Sequence, residues 1–264
     1  MEPSLPPFRL YDMHCHIDFQ EDPAAFLREG TERSLAFLSC TVEPDGYAQA
    51  QSWAKGSNVA LGLGAHPWWV AEDRISKEGY ESLCEEIAEA PFIGEIGIDL
   101  SPKHVDLATK DHQIEVFRAI CIRAADTGGK VLSIHSVKSA DIVLDILEET
   151  GCLDPAKDMA CILHWFSGST PELWRAIHAG CYFSVGEPFC RTRHAKEYLK
   201  LIPKDHLLLE TDYPPEHAGF AVADYERALR SAATLIAASW HTSPEDAATT
   251  LASTSAPLFM QARA

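Results

Sequence analysis

The stretch Gly94–Asp99 reads GEIGID and places two carboxylates within a short apolar run. A run of this kind predicts a buried strand, which we place at Phe92–Ile98. Side chains of a strand alternate between its two faces, so Glu95 and Asp99 point to the same side. Burying carboxylates is costly unless they are paired or bind a metal ion, so this strand indicates a polar site.

Seven further apolar runs recur along the chain, with helical patterns between them. These predicted strands are Leu10–His14, Leu35–Cys40, Val59–Ala65, Val131–His135, Met159–His164, Cys181–Val185 and Leu207–Glu210. Eight strands that alternate with helices predict an α/β fold, a (β/α)8 TIM barrel, with residues 1–264 forming one domain. An open doubly wound sheet is the alternative, because periodicity does not show whether a sheet closes.

Helix signals fill most of the intervals between these strands. The predicted helices lie between Pro23 and Gly30, from Tyr80 to Ile87, from Ile114 to Ala124, from Ile142 to Leu147, between Thr170 and Gly180, from Ala223 to Ser239, and after Ser243. Proline near a helix start and glycine just after its end support several of these boundaries. The helices would form the outer ring of the barrel.

Histidine and acidic residues stand at the ends of most predicted strands. They are Asp12, His14, His16, His66, Glu95, His135, His164, Glu210 and Asp212. In a parallel barrel the carboxyl ends of all strands meet at one face, where active sites lie, so these residues are expected to converge. Alternation would turn Asp12, His14 and His16 toward the barrel axis. Two imidazoles on one strand could bind one ion, and imidazole with carboxylate suits Zn²⁺ or Mn²⁺, while a carboxylate-rich site could also take Mg²⁺.

Composition narrows the possible functions. The chain carries 22 Lys and Arg against 39 Asp and Glu, a net charge of −17, and its longest basic run is the interrupted Arg191–Arg193. A long basic groove for duplex DNA is therefore not expected. No apolar run approaches the ~18 residues of a membrane span. The eight cysteines contain no C-x-x-C pair and Met1–Phe8 shows no signal peptide, so we expect reduced thiols and a cytoplasmic protein.

Six motifs together resemble those of the TatD-type metal-dependent deoxyribonucleases of the amidohydrolase superfamily. The motifs are DMHCH at 12–16, GAHP at 64–67, GEIGID at 94–99, IHS at 134–136, HWFSG at 164–168 and LLETD at 208–212. They occur in the family's order and span most of the chain. The resemblance implies a TIM barrel and hydrolysis of phosphodiesters, often as a 3′–5′ exonuclease on DNA.

The resemblance also implies a site with two divalent ions, which could be Mg²⁺, Mn²⁺ or Zn²⁺. By matching position, His14, His16 and Asp212 would hold the first ion, Glu95 would bridge, and His135 and His164 would hold the second. Asp12 and Glu210 would orient the imidazoles. His66 would contact a substrate phosphate or order the site. Two ions neutralise charge on a phosphoryl group, and Asp212 is expected to accept the proton of the attacking water, so Glu95 and Asp212 are the candidate catalytic residues.

The chain departs from the family pattern on the substrate side. The family commonly has Arg after the motif at 134–136, where this chain has Val137 and Lys138, so Lys138 is the candidate phosphate contact. Tyr213-Pro214-Pro215 also differs from the usual residues. DNA ends or short single strands need only a few local contacts, so they are the expected partners. A small-molecule amide, lactone or phosphoester as substrate and a metal-binding subunit of a larger complex are the alternatives, and the oligomeric state stays open.

Overall fold

Eight parallel strands follow one another in chain order around a (β/α)8 barrel. A computed structural model of the chain describes residues 8–102, 107–213 and 219–264. The strands are β1 Leu10–Cys15, β2 Leu35–Cys40, β3 Val59–Gly62, β4 Phe92–Asp99, β5 Val131–Val137, β6 Ala160–His164, β7 Tyr182–Val185 and β8 Leu207–Leu209. All eight predicted strands are confirmed. The segments Met1–Pro7 and Pro214-Pro215, on which two of the expectations above depend, lie outside the described residues.

The hydrogen-bonding order distinguishes the barrel from the doubly wound alternative. Strands β1 to β3 pair in order, and so do β4 to β8. A parallel bridge between Leu63 and Ile93 joins β3 to β4. Past β8, the N–H of Asp212 donates to the carbonyl of His14 at 3.0 Å and joins the last strand to the first. The order therefore runs around a ring without the reversal that defines a doubly wound sheet.

Helices connect the strands on the outside of the ring. They are α1 Pro23–Glu32, α2 Pro44–Ala54, α3 Pro67–Ala71, α4 Lys77–Glu86, α5 Leu107–Thr127, α6 Ala140–Thr150, α7 Thr170–His178, α8 Glu187–Cys190, α9 Arg193–Leu201, α10 Val222–Trp240 and α11 Pro244–Gln261. The sequence did not predict α2, α3, α8 and α9. The helices α3 and α8 have only five and four residues, too few for a clear apolar stripe. No described helix is long and apolar enough to cross a membrane.

The barrel interior is filled by side chains at alternating strand positions. This cluster includes Met13, Leu38, Ala60, Phe92, Val131, Ile162 and Leu208. At the amino-terminal end of the barrel, Phe259 of α11 packs edge-to-face against Phe8 and Tyr11 at 5.9 and 5.6 Å between ring centroids. The amino-terminal end is thus closed by apolar packing, which leaves the carboxyl-terminal end as the mouth of the barrel.

Two strand irregularities change which side chains face the interior. The register of β1 shifts between Asp12 and Cys15, and the register of β4 shifts between Ile93 and Ile96. Met13 packs in the barrel interior, although unbroken alternation would place it on the face opposite His14. Met13 therefore breaks the alternation from which a shared face of Asp12, His14 and His16 was predicted. A bulge adds a residue to one strand and turns the side chains on either side of it differently.

Gly64 lies where backbone segments of neighbouring strands approach closely. A Cβ at this position would lie 1.7 Å from the carbonyl oxygen of Thr41. We expect Gly64→Ala to lower the free energy of unfolding by about 3 kcal/mol, at the upper end of the cost of overpacking. Urea unfolding followed by circular dichroism measures this value.

Gly46 provides the matched control. It lies in α2, and a Cβ there would have no neighbour closer than 3.8 Å. Alanine is the better helix former, so Gly46→Ala should raise the free energy of unfolding by about 0.5–1 kcal/mol. Equal stabilities for the two variants would contradict the close approach at Gly64.

Candidate metal centre

Glu95 lies at the centre of the barrel mouth and is 2% exposed. Its Oε2 lies 3.4 Å from Nε2 of His14 and 3.3 Å from Nε2 of His16. Oδ1 of Asp212 lies 3.5 Å from the same atom of His14 and 3.8 Å from that of His16. One oxygen of Glu95 and one of Asp212 therefore face His14 of β1 and His16, which directly follows β1.

The other carboxylate oxygen of Glu95 faces a second group of histidines. Its Oε1 lies 2.7 Å from Nδ1 of His135 and 2.9 Å from Nε2 of His164. Nε2 of His66 lies 3.4 Å from the same oxygen. His66 caps α3, where its Nδ1 accepts the N–H of Trp68 at 3.1 Å. Glu95 thus divides five imidazoles into two groups, one for each of its oxygens.

The structure brings together most of the residues that the sequence predicted for the site. They are His14, His16, His66, Glu95, His135, His164 and Asp212. Asp212 is the most exposed residue of this cluster, with 29% of its side chain accessible to solvent. Lys138 stands apart from this cluster. It is exposed in a turn just after β5, and no ion pair involves it within the described ranges.

The imidazoles of His14 and His16 are oriented by groups that the sequence did not reveal. Nδ1 of His14 lies 2.7 Å from Oγ of Ser133. Nδ1 of His16 donates to the carbonyl of Cys40 at 3.1 Å. Both contacts leave the Nε2 atoms turned toward Glu95. Ser133 precedes His135 by two positions on β5, so alternation could have placed it in the mouth, whereas a backbone carbonyl carries no sequence signal.

Asp12 and Glu210 are buried carboxylates whose hydrogen bonds go to other groups than imidazole. Asp12 accepts the hydroxyl and the N–H of Thr211 at 2.6 and 3.0 Å. Glu210 accepts the hydroxyl of Ser184 at 2.5 Å and the N–H of Trp165 at 3.1 Å. In the described structure, neither orients an imidazole as the resemblance implied; they tie together the ends of β1, β6, β7 and β8. Burial raises the pKa of Asp12 to about 7 and that of Glu210 well above its ordinary value.

Asp99 is the carboxylate that orients an imidazole directly. Its Oδ2 accepts Nε2–H of His135 at 3.0 Å and the indole N–H of Trp68 at 2.8 Å. Gln113 holds the backbone of Asp99 from both sides, at 2.8 and 3.2 Å. The hydrogen bond from His135 to Asp99 turns Nδ1 of His135 toward Glu95. The shared face of Glu95 and Asp99 was the available sequence signal, but His135 could be identified as the partner only from the fold.

The electrostatics of the site are dominated by burial and by opposite charge. Burial alone would raise the pKa of Glu95, but the surrounding imidazoles, led by His66 and His164, outweigh burial and hold that pKa well below its ordinary value. Burial would likewise lower the pKa of His16 and His135, yet neighbouring carboxylates raise both to about 9. For His14, burial and the charge of His164 lower the pKa to about 4. Without metal ions, protons on some imidazoles therefore compensate the buried carboxylates.

The donor set fits divalent ions. His14, His16 and Glu95 form one group whose ligand atoms lie within 4.8 Å of one another, and His66, Glu95 and His135 form another. Among the described residues, the buried Nε2 of His14 has no hydrogen-bond partner, which is costly for a polar atom unless a ligand completes the site. Imidazole nitrogens with carboxylate oxygens are ligands for Zn²⁺ or Mn²⁺. These residues could therefore hold metal ions on both sides of Glu95.

Comparison with known proteins supports the same chemistry. A family model described as TatD related DNase matches residues 11–260. The uncharacterized metal-dependent hydrolase TatD of Mycobacterium tuberculosis is 32% identical over 235 residues, which cover 82% of this chain and 85% of the relative. The 3′–5′ ssDNA/RNA exonuclease TatD of Erwinia tasmaniensis is 31% identical over 157 residues, 57% of this chain and 56% of that protein.

A solved structure supports the fold. The crystal structure of YJJV, a TatD homologue from Escherichia coli, superposes with a TM-score of 0.78. The match covers 97% of this chain and 99% of that chain, at 22% sequence identity. At this identity the likeness concerns the barrel and its strand order rather than the substrate.

Metal binding should depend on pH because protons and ions compete for the same nitrogens. His16 and His135 have pKa values of about 9 in the metal-free site, so each still carries a proton that an ion must displace at neutral pH. We expect the affinity for Zn²⁺ or Mn²⁺ to rise as the pH rises from about 6.5 to 9, and then to level off. Competition with a fluorescent chelator at several pH values measures the affinity.

Calorimetry in buffers of different ionisation enthalpy provides the control for this expectation. It counts the protons that are released on binding, and protons should be released at neutral pH. A pH-independent affinity with no proton release would contradict the proposed competition at these two imidazoles.

Asp99→Ala should weaken metal binding without unfolding the barrel. The variant removes the acceptor that holds Nε2–H of His135, and loss of such an outer partner typically costs about 10–100-fold in metal affinity. Asp99→Asn keeps an acceptor oxygen and should lose less. Asp111→Ala, at an exposed position of α5, is the matched control and should leave the affinity unchanged. Wild-type affinity in Asp99→Ala would show that the contact does not position the ring.

Proposed function

The chain belongs to the TatD-related DNase family, and from this premise we propose that it is a metal-dependent exodeoxyribonuclease that removes nucleotides from the 3′ end of single-stranded DNA. The family makes it a metal-dependent hydrolase. The similarity to an exonuclease that is named for single-stranded DNA and RNA supports the finer assignment. DNA ends and short single strands are the proposed partners, and Mg²⁺, Mn²⁺ and Zn²⁺ are the candidate ions.

One observation carries the proposal: the two oxygens of Glu95 face different histidines. His14 and His16 face Oε2, and His135 and His164 face Oε1. A carboxylate with ligand groups on both sides is suited to bridge two ions, and paired ions are characteristic of enzymes that act on phosphodiesters. We therefore propose Glu95 as the bridge between two divalent ions, with Asp212 as a further ligand beside His14 and His16.

In the proposed mechanism the chain positions the substrate and moves one proton. Ions held by these residues would polarise the phosphodiester and make a water molecule more acidic. Asp212 accepts the proton of the attacking water, because it is the carboxylate of the cluster with the most exposed side chain. His66, which lies beside Glu95, contacts a non-bridging phosphate oxygen. Lys138, exposed beyond β5, contacts a phosphate along the strand.

The net charge of −17 favours a second candidate, a hydrolase of small phosphoesters. Such a charge repels a long polyanion at low ionic strength, whereas a small substrate needs no extended basic surface. A short single-stranded end also needs few phosphate contacts. The negative charge therefore disfavours long nucleic acids, but it does not distinguish a nuclease from a hydrolase of small phosphoesters. The family membership favours the nuclease.

Nucleotide release from a labelled single-stranded oligonucleotide tests the proposal. Metal-stripped protein should release nucleotides from the 3′ end only after Mg²⁺, Mn²⁺ or Zn²⁺ is added. Asp212→Asn should lower the rate by about 10²–10⁴-fold, the usual contribution of a general base. Asp126→Asn, at an exposed position of α5, is the matched control. The metal content of each variant is measured in parallel.

Three outcomes separate the parts of the proposal. Release that disappears in Glu95→Ala together with one of two bound ions supports the bridge. A fully active Asp212→Asn variant would remove this residue as the base. Protein that binds two ions but releases no nucleotide, while it hydrolyses a small phosphodiester, would favour the second candidate.

A further inference from the structure

Several aromatic side chains near the mouth of the barrel are already engaged. The indole N–H of Trp68 donates to a carboxylate, as described above. The guanidinium of Arg74 lies 3.8 Å from the ring centroid of Trp69. The ring of Tyr213 stacks on that of Phe220 at 4.2 Å. These faces and edges are occupied by protein groups, so none of the three rings is well placed to receive a substrate.

Trp165 differs from these rings. It directly follows His164 at the end of β6 and is half-buried. Within the described ranges, no aromatic ring stacks on its indole and no hydrogen bond uses its indole N–H. Part of the side chain packs against the hydrophobic core, and the rest of it is exposed at the carboxyl end of β6.

The backbone holds Trp165 in an unusual conformation. Its φ of 43° lies in the left-handed region, which is uncommon for a bulky residue. The N–H of Trp165 donates to both the carbonyl of Ser184 and Oε1 of Glu210, each at 3.1 Å. Two acceptors thus fix the peptide, and strained conformations that the surroundings enforce are concentrated at functional sites.

Gly186 shows where the indole lies. This residue follows β7 directly, and a Cβ built on it would lie 3.8 Å from Cζ3 of Trp165. The ring of Trp165 therefore extends over the end of the neighbouring strand, on the same face of the barrel as the metal centre. On the other side, β5 leads into the turn that carries the exposed Lys138.

We propose that Trp165 stacks on a base of the substrate while Lys138 contacts a phosphate of the same strand. Trp165 and Lys138 follow the adjacent strands β6 and β5, and an aromatic face together with a cation is the combination that binds single-stranded nucleic acid. A paired base within a duplex cannot present its face to the indole. The inference rests on the proposed nuclease function and deepens it, because it assigns the substrate as a strand with at least one unstacked base near the reacting end.

Substitutions at Trp165 test the stacking contact through KM for a single-stranded oligonucleotide. Trp165→Leu keeps apolar bulk but removes the aromatic face, and should raise KM roughly 5- to 150-fold, as expected for loss of one stacked base. Trp165→Phe retains a smaller ring and should raise KM less. Trp174→Leu, at a position of α7 that is 41% exposed, is the matched control and should leave KM unchanged.

Two further measurements separate stacking from other effects. With an oligonucleotide that lacks the bases of its last nucleotides, wild type and Trp165→Leu should have the same KM. Stacking involves no ion release, so Trp165→Leu should keep the salt dependence of KM.

Lys138→Ala should reduce the slope of log KM against log salt concentration by about 0.7, the contribution of one phosphate contact to a single strand. Circular dichroism and metal content verify that each variant is folded.

The outcomes distinguish this proposal from the one on which it rests. If wild type processes single strands and Trp165→Leu has the KM of wild type, the stacking contact is refuted and the nuclease stands. An equal increase of KM for the normal and the base-free oligonucleotide would also refute stacking. If wild type neither binds nor cleaves any oligonucleotide, both proposals fail together.

Discussion

A buried carboxylate must be compensated by positive charge, and the mouth of this barrel is built around that requirement. Glu95 is almost inaccessible to solvent, and five imidazoles surround it. The charge of one side chain thus constrains residues from four other strands or their ends. Protons on some imidazoles satisfy the requirement in the metal-free protein, and divalent ions would satisfy it in their place. The same balance makes the site suited to metal binding and sensitive to pH.

The barrel contributes precision that a row of strand ends alone would not supply. In β1 and β4, a register shift changes which face of the strand the following side chains occupy. The rings of His14, His16 and His135 also have a second contact on the far side from Glu95. The contacts are made by Ser133 with His14, by the carbonyl of Cys40 with His16, and by Asp99 with His135. These contacts determine which nitrogen of each ring is available to a metal ion.

The negative net charge of this protein disfavours binding of the polyanionic substrates on which its family acts. A chain with a net charge of −17 repels nucleic acid over long distances, yet the family acts on phosphodiesters. A site that binds one or two nucleotides through short-range contacts is compatible with this charge. Stacking acts at short range, so long-range repulsion weakens it little. Trp165 and Lys138 lie at the ends of adjacent strands and offer contacts of this kind. Such a protein would act on ends rather than along a duplex.

The sequence by itself determined the eight strands and the residues of the candidate metal centre, because apolar runs and their polar ends are local features. Closure of the strands into a barrel, rather than an open doubly wound sheet, was decided by the tertiary structure. Parallel strands bring their carboxyl ends together whatever the details of packing, so His14, Glu95 and His164 could be assigned to one mouth in advance. Only the tertiary structure decided that Asp12 meets Thr211 and that Asp99 meets His135. Alternation along a strand predicts a face only while the strand is regular, and the bulge in β1 breaks that rule. Partners across strands depend on register, which pairs residues far apart in the chain and leaves no local signal.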